Sequence, residues 1–172
     1  MAEGWVMGVY IGTEARAPLA SVTEVRAEAG RGLEGDRYWS GKGTFWKPLS
    51  DREVTLIETE VLEALAANTG ITLEPRDARR NLATRGVRLN ALVNRRFRVG
   101  EALLLGIRLC EPCGHLEELT GQSLRPHLFG CGGLRAAIQS SGLIRVGDTI
   151  SVETADAESP AAETEPAARA TA

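Results

Sequence analysis

Short apolar runs ended by glycine are the feature that most restricts what this chain can fold into. Stretches such as "GWVMGVYIG" and "ASVTEVRAEAG" are rich in Val, Ile, Thr and aromatic residues and recur about every ten residues, which is typical of β-strands joined by turns. In the second stretch Val22 and Val25 do not alternate cleanly, so we expect a bulge or a strand end there. Many short strands with few helices favour a closed or half-closed barrel.

One segment has the pattern of a longer helix. "EVTLIETEVLEALAANTG" begins as a strand and then places Leu62, Leu65 and Ala66 on one helical face, with Gly70 as a stop signal. The apolar run "ALLLGIRLC" predicts a buried central strand, and "GGLRAAIQSSGLIRVGDTISV" predicts three more strands. The predicted fold class is therefore mainly β and barrel-like, with one longer and one or two short helices.

The chain of 172 residues fits one domain, which we place at residues 1–152. Residues 153–172 contain no Val, Ile, Leu, Met or aromatic residue, so they cannot bury enough apolar surface to offset the entropy of ordering them. We therefore predict a disordered acidic tail. The tail has a net charge of −4, and because the whole chain has −3, the remaining body is close to neutral.

Arginine is the main basic residue of that body, in which Lys42 and Lys47 are the two lysines. Arginine forks onto carboxylate and phosphate, so a small anionic ligand is favoured over a nucleic acid, which would need a broadly basic domain. The sequence has no leader-like N-terminus and no apolar run near the roughly 20 residues of a membrane span, which predicts a cytoplasmic protein without membrane contact. Three cysteines favour free thiols in a reducing compartment.

The segment "LCEPCGHLEEL" joins the end of an apolar strand to the start of a helix. We expect Cys110 to be buried at the strand end. We expect Cys113 to lie on an exposed turn near a helix N-terminus, where partial positive charge stabilises a thiolate. His115 is a candidate base for that thiol, and a hydrogen-bonded surface histidine is the alternative.

Two other roles stay open for these cysteines. A thiol-disulfide pair of Cys110 and Cys113 is one, although such pairs usually lie in a β-α-β setting that this strand-rich chain does not predict. A zinc site is the other, although a second pair at ligand spacing is missing. Its ligands would come from Cys110, Cys113, His115, His127 and Cys131.

A second group of polar residues is a candidate for anion binding. Arg76, Arg79, Arg80 and Asn81 put four fork or amide donors within a short stretch, which suits the oxygens of a phosphate. A solvated face is the alternative for each of these arginines.

Two further segments are candidates for the wall of a site. In "GLEGDRY", Asp36 and Arg37 follow a turn bounded by glycines, which is also the pattern of a plain hairpin turn. Residues 38–53 form a long loop with Trp39 and Trp46, and exposed aromatic side chains on such a loop are expected to form a wall or lid over a pocket.

Taken together, these motifs resemble the MOSC domain, the module named after the C-terminal part of molybdenum cofactor sulfurase. The family has an early G-x-x-G-D, a middle N-L-x-x-x-G-x-x-L-N before an R-F-R-V-G strand, a cysteine turn and a closing R-x-G-D. This chain has "GLEGD", "RRNLATRGVRLNAL", "RRFRVG", "LCEPC" and "GLIRVGD" in that order, over nearly everything from residue 5 to residue 152. The resemblance implies a β-barrel-like fold, in agreement with the strand count.

The resemblance also implies functional residues. The essential cysteine of the family, proposed to hold a persulfide or to ligate molybdenum, falls on Cys113. Arg79, Arg80 and Asn81 fall where the family gathers polar residues around the cofactor site. The implied cofactor is the molybdenum cofactor, molybdopterin, with its phosphate held by Arg79 and Arg80.

Asp36 falls on the early acidic position of the family, and Arg37 follows it where many members have histidine. The resemblance thus predicts a protein that binds the molybdenum cofactor, carries sulfur as a persulfide on Cys113, or does both. As an enzyme it would be sulfurtransferase-like or a molybdenum-dependent oxidoreductase. Its expected partners are a sulfur-donor desulfurase or a molybdoenzyme, and the resemblance also implies the family's association with pyridoxal phosphate binding. A non-catalytic module that binds or delivers molybdopterin is the alternative.

Overall fold

The computed structural model describes residues 3–48 and 50–153. The predicted tail lies outside these residues except for Glu153, whose backbone N–H donates to the carbonyl oxygen of Arg96 at 3.0 Å. In the described part every helix is too short or too polar to traverse a lipid bilayer.

The described chain consists of eleven strands, three α-helices and two short 3-10 helices. The helices are α1 (Thr59–Thr69), α2 (Gly114–Thr120) and α3 (Arg125–Leu128), and the 3-10 helices are Ser50–Arg52 and Leu89–Leu92. The strands are β1 (Glu3–Ile11), β2 (Ala20–Val22), β3 (Glu24–Glu28), β4 (Gly32–Leu33), β5 (Val54–Glu58), β6 (Leu82–Arg85), β7 (Arg96–Val99), β8 (Ala102–Leu109), β9 (Leu134–Ser140), β10 (Gly142–Arg145) and β11 (Thr149–Val152).

Seven of these strands form a closed barrel. Their order is β11-β7-β8-β9-β5-β6-β1, and β1 closes the ring by pairing with β11. The neighbours are antiparallel except for β5 and β6, which are parallel and are joined through α1. β2 pairs with β1, and β10, β3 and β4 form a separate small sheet. The predicted barrel-like, mainly β fold with one longer helix and shorter ones is confirmed.

Alternation along the strands creates the barrel core. Leu56 on β5 and Phe97 on β7 are fully buried in the main apolar cluster. Ile57, the neighbour of Leu56, points to the opposite face and packs with Leu62 and Leu65 of α1 in a second cluster. Because successive strand residues face opposite sides, one strand serves both clusters. The irregularity predicted near Val22 is the break between β2 and β3.

One end of the barrel gathers segments that are far apart in sequence. β1 runs antiparallel to β6, so the end of β1 lies beside the start of β6, where Val9 pairs with Leu82. The end of β8 meets the start of β9, where Leu109 pairs with Leu134, and Leu134 also pairs with Leu56 of β5. The loops that follow β1 and β8 and those that precede β6 and β9 therefore converge at this end.

Candidate functional site

A pocket at this end of the barrel collects most of the residues singled out from the sequence. Its volume is about 70 Å³, which is room for a few groups of water size. Cys113, His115 and Asn81 contribute to its lining. The charged side chains of the lining are Arg37, Arg52, Arg79, Arg80, Arg135 and Glu111. Five arginines against one carboxylate make the pocket strongly positive, which suits an anionic ligand.

Cys113 and Cys110 lie in different surroundings. Cys110 is 2% exposed, whereas Cys113 is exposed, and both thiols are free. Cys113 is the N-cap residue of α2, and its backbone carbonyl accepts the N–H groups of Leu116 and Glu117 at 3.1 and 3.2 Å. Its Sγ makes no capping hydrogen bond, so the thiol remains available. The predicted burial of Cys110 and exposure of Cys113 near a helix start are confirmed.

Asp36 forms the rigid base beneath the pocket. It is 1% exposed, and its Oδ1 accepts the backbone N–H of Gly12 at 3.0 Å and Nη1 of Arg37 at 3.1 Å. Its Oδ2 accepts the backbone N–H of Tyr38 at 3.1 Å. The carboxylate thus lies one layer below the lining and orients Arg37, whose side chain reaches the pocket wall.

Asn81 links three strands at the same place. Its Nδ2 donates to the carbonyl oxygen of Tyr10 at 3.1 Å and lies 3.4 Å from Oδ1 of Asp36. Its Oδ1 accepts the backbone N–H and the hydroxyl of Thr55 at 3.2 and 3.0 Å. Because the amide is used on both sides, Asn81 holds the pocket floor together as well as lining it.

Arg80 uses its guanidinium mainly to hold loops. Nη1, Nη2 and Nε donate to the backbone carbonyls of Ala78, Cys110 and Gly132 at 2.8, 2.9 and 3.0 Å. Three of its five N–H donors are therefore engaged inside the protein, and two are left for the pocket. The contact with Cys110 fixes the strand end from which the cysteine turn departs.

The backbone of Arg79 has a conformation that residues other than glycine seldom adopt. Its φ angle is +60°, in the left-handed region, which costs on the order of 1 kcal/mol for a residue other than glycine. Nη1 donates to the carbonyl oxygen of Ala17 at 2.8 Å. Burial lowers the pKa of the Arg79 guanidinium, and the positive charge of Arg37 lowers it further. A bound anion would relieve this crowding of positive charge.

His115 forms part of the pocket rim. Its ring meets that of Phe45 edge to face, with centroids 5.5 Å apart, and its Nδ1 lies 3.4 Å from Nη1 of Arg16. Partial burial lowers the pKa of His115, and the charges of Arg16 and Arg79 lower it further. The imidazole is therefore neutral near pH 7 and able to accept a proton.

Two pocket arginines have no signal in the sequence. Arg52 ends a 3-10 helix, and its Nε lies 3.4 Å from Oδ1 of Asp51, close enough for an ion pair but not aligned as a hydrogen bond. Arg135 is the second residue of β9, and its Nε is buried without a hydrogen-bond partner among the described residues. Neither belongs to a cluster of like residues, and the pairing of β5 with β6 and β9 brings them to Arg79.

The loop of residues 38–53 contributes to the pocket wall, but not through its tryptophans. Tyr38 and Phe45 line the pocket. Trp39 and Trp46 line a different cavity, where the indole N–H of Trp39 donates to Oε2 of Glu28 at 2.7 Å. Because the loop turns back on itself, Phe45 lines the pocket whereas Trp39 and Trp46 line the separate cavity.

The zinc alternative has no support in residues 3–48 and 50–153. Within them, no three side chains of His, Cys, Asp or Glu come together in a way that could hold a metal ion. His127 and Cys131 line a cavity beside α1 instead, where burial raises the pKa of the Cys131 thiol.

Comparison with known proteins agrees with the barrel and its motifs. The MOSC domain model matches residues 33–151. The YuaD protein from Bacillus subtilis superimposes with a TM-score of 0.74 at 20% identity, over 87% of this chain and 95% of that one. YiiM from Geobacillus stearothermophilus gives 0.67 at 12% identity, over 88% and 75%, and YiiM from Escherichia coli gives 0.66 at 20%, over 88% and 70%. A comparison with curated proteins gives no match.

The structural likenesses concern the fold, whereas the family model rests on the sequence itself and covers most of the barrel and the entire cysteine turn. MOSC domains are associated with the molybdenum cofactor. The chain belongs to the MOSC domain family.

Proposed function

We propose that this protein binds the molybdenum cofactor with an anionic group of the cofactor in the arginine-lined pocket and the Cys113 thiolate directed at the metal. The observation that carries the proposal is the exposed thiol of Cys113, which makes no helix-capping hydrogen bond and lies at the edge of a pocket with five arginines and one carboxylate. Thiolate is a soft ligand, and arginine is the side chain best suited to phosphate oxygens.

The residues present fit such a cofactor. Arg79 would bind the phosphate, because its guanidinium is half-buried, crowded by positive charge and, among the described residues, hydrogen-bonded to one backbone carbonyl. Arg135 adds a buried Nε that lacks a hydrogen-bond partner among the described residues. Arg80 and Asn81 shape the floor, and their remaining donors complete the anion site.

The pocket volume limits what enters it. About 70 Å³ accommodates a single anionic group and not an entire organic cofactor, since small-molecule sites usually have several hundred Å³. The ring system would therefore lie outside the narrow pocket. When bound, the molybdenum would supply two-electron exchange of oxygen with a substrate, while His115, neutral near pH 7, would accept or return the proton.

The test is a metal and pterin analysis of the full chain isolated from a host that makes the cofactor. We expect near-equal molar amounts of molybdenum and of pterin, with the pterin measured by its fluorescence. Arg79→Gln should lower pterin occupancy several-fold, whereas Arg96→Gln, an exposed arginine on β7, should leave it unchanged. Cys113→Ser should keep the pterin but remove one Mo–S contact in X-ray absorption. Equal pterin occupancy in Arg79→Gln and Arg96→Gln would contradict the proposal.

Persulfide transfer is a second candidate, favoured by the exposure of the free Cys113 thiol to a donor protein. The Cys113 thiolate would attack the terminal sulfur of the donor's persulfide, form a new S–S bond and release the donor's thiolate, with no net oxidation. Cyanide-releasable sulfur that is lost in Cys113→Ser and retained in Cys110→Ser supports this role. Bound pterin without labile sulfur excludes it.

A delivery module without turnover would use the same pocket. It would show the same pterin occupancy, but its cofactor would pass to an apo-molybdoenzyme in a mixing assay. An enzyme would instead retain the cofactor through many turnovers.

A further inference from the structure

A second cavity lies beside the pocket and shares Arg79 with it. Its volume is about 330 Å³, against about 70 Å³ for the pocket itself. That is the lower end of the range for sites that hold small organic molecules. A ligand whose anionic group occupies the narrow pocket would therefore find room for its remaining part across Arg79.

The border between the two cavities carries two guanidinium groups that make no direct ion pair with the described residues. Among the described residues, neither Arg79 nor Arg76 has a carboxylate within ion-pair distance, although both line the second cavity. Arg16, the third arginine of this cavity, pairs with Glu118 at 3.1 Å. An anion at Arg79, which lines both cavities, would thus also be attracted by the charge of Arg76 in the second cavity.

The rest of the lining suits a polar ring. Leu19 and Leu73 are buried and present an apolar surface. Gln122 has a buried Oε1 without a hydrogen-bond partner in the described chain, while its Nε2 donates to the carbonyl oxygen of Thr72 at 3.4 Å. The amide of Gln122 thus provides the cavity lining with a side chain that can both donate and accept hydrogen bonds. Asp77 is a second acceptor in the same lining.

A third cavity, behind the loop of residues 38–48, also touches the pocket, through Tyr38 and Arg52. Its guanidinium groups already have carboxylate neighbours. Arg31 lies 3.7 Å from Glu28 and is stacked on the ring of Trp39. Arg52 pairs with Asp51 at 3.4 Å. The second cavity is therefore the better continuation of an anion site.

We infer that the second cavity binds the ring-bearing end of an organic phosphate of nucleotide type, whose phosphate lies at Arg79. The inference rests on the proposed function only in taking Arg79 as the phosphate site. It adds a ligand class, a nucleoside phosphate, and it assigns Gln122 and Asp77 to recognition of the ring.

The experiment is an amide NMR titration of the full chain with inorganic phosphate and with the 5′-monophosphates of adenosine, cytidine, guanosine and uridine. At least one nucleotide should bind about tenfold more tightly than phosphate, because it fills both cavities. Gln122→Leu and Leu119→Trp should each remove most of this advantage and leave phosphate binding unchanged. Asn68→Leu, an exposed polar-to-apolar change on α1, is the matched control, and the spectra themselves report folding.

Each other result has a distinct meaning. Phosphate binding without a tighter nucleotide would overturn the second cavity as a subsite and leave the proposed function standing. A nucleotide advantage lost in Trp46→Ala and kept in Gln122→Leu would overturn it in favour of the third cavity. Absence of binding by phosphate and by all four nucleotides would overturn both this inference and the role of Arg79.

Discussion

Replacing Asp36 by alanine should destabilise the whole pocket end of the barrel. The carboxylate is 1% exposed and accepts hydrogen bonds from Gly12, Arg37 and Tyr38. Its removal leaves Arg37, 6% exposed, as a buried charge without its partner, and leaves two backbone N–H groups unsatisfied. Breaking a buried ion pair by removing one member costs about 3–5 kcal/mol. For a chain of this length the loss corresponds to a Tm lower by roughly 6–20 °C.

The assay is urea unfolding followed by circular dichroism, with Glu34→Ala as the matched control. Glu34 is exposed two residues earlier on the same turn, so its loss should cost less than about 0.5 kcal/mol. The double variant Asp36→Ala with Arg37→Met should lose less free energy of unfolding than the two single variants lose together, since it leaves no unpaired charge. A cost below about 1 kcal/mol for Asp36→Ala, or strict additivity in the double variant, would refute the reasoning.

Two further predictions concern pH and backbone geometry. Because burial and nearby positive charge lower the pKa of His115, the unfolded chain binds that proton more readily; stability should fall as the pH drops below about 6.5. His115→Asn should remove this part of the slope in unfolding measurements between pH 5 and 8, and an unchanged slope would contradict the assignment. Gly133→Ala should cost at least about 3 kcal/mol, because its φ is +115° and a Cβ would collide with the carbonyl oxygen of Leu56. Gly114→Ala, with open space around it, should be nearly neutral in the urea unfolding assay, and equal costs for the two changes would refute the steric explanation.

Much of the candidate site was predictable because its residues lie in short motifs. Cys113 follows a strand and precedes a helix, and the local order of apolar residues, Pro and Gly was enough to separate it from the buried Cys110. Arg79 and Asn81 were found by local clustering of polar residues, and Arg37 by its place after a turn bounded by glycines. The roles assigned to these residues in binding and catalysis stay predictions.

Other parts of the site depend on contacts that no local pattern contains. Arg52 and Arg135 are isolated arginines, and they line the pocket because β5 and β9 are neighbours in the barrel. The sequence predicted that Arg79 and Arg80 would hold a phosphate in the same way, but the two guanidinium groups differ in their hydrogen bonds. The guanidinium of Arg80 donates three hydrogen bonds to backbone carbonyls, and one of these carbonyls belongs to Cys110, thirty residues away.

By itself, the sequence determined most of the strands, the long helix and its end at Gly70, and the exposure of the Cys113 thiol, because each follows from the spacing of neighbouring residues. The tertiary structure alone decided how β1 and β11 close the ring and which arginines meet at the pocket. It also decided that Asp36 lies beneath the site rather than in it. These outcomes depend on strand pairing and hydrogen bonds between residues far apart in the chain, and that information is absent from any short stretch.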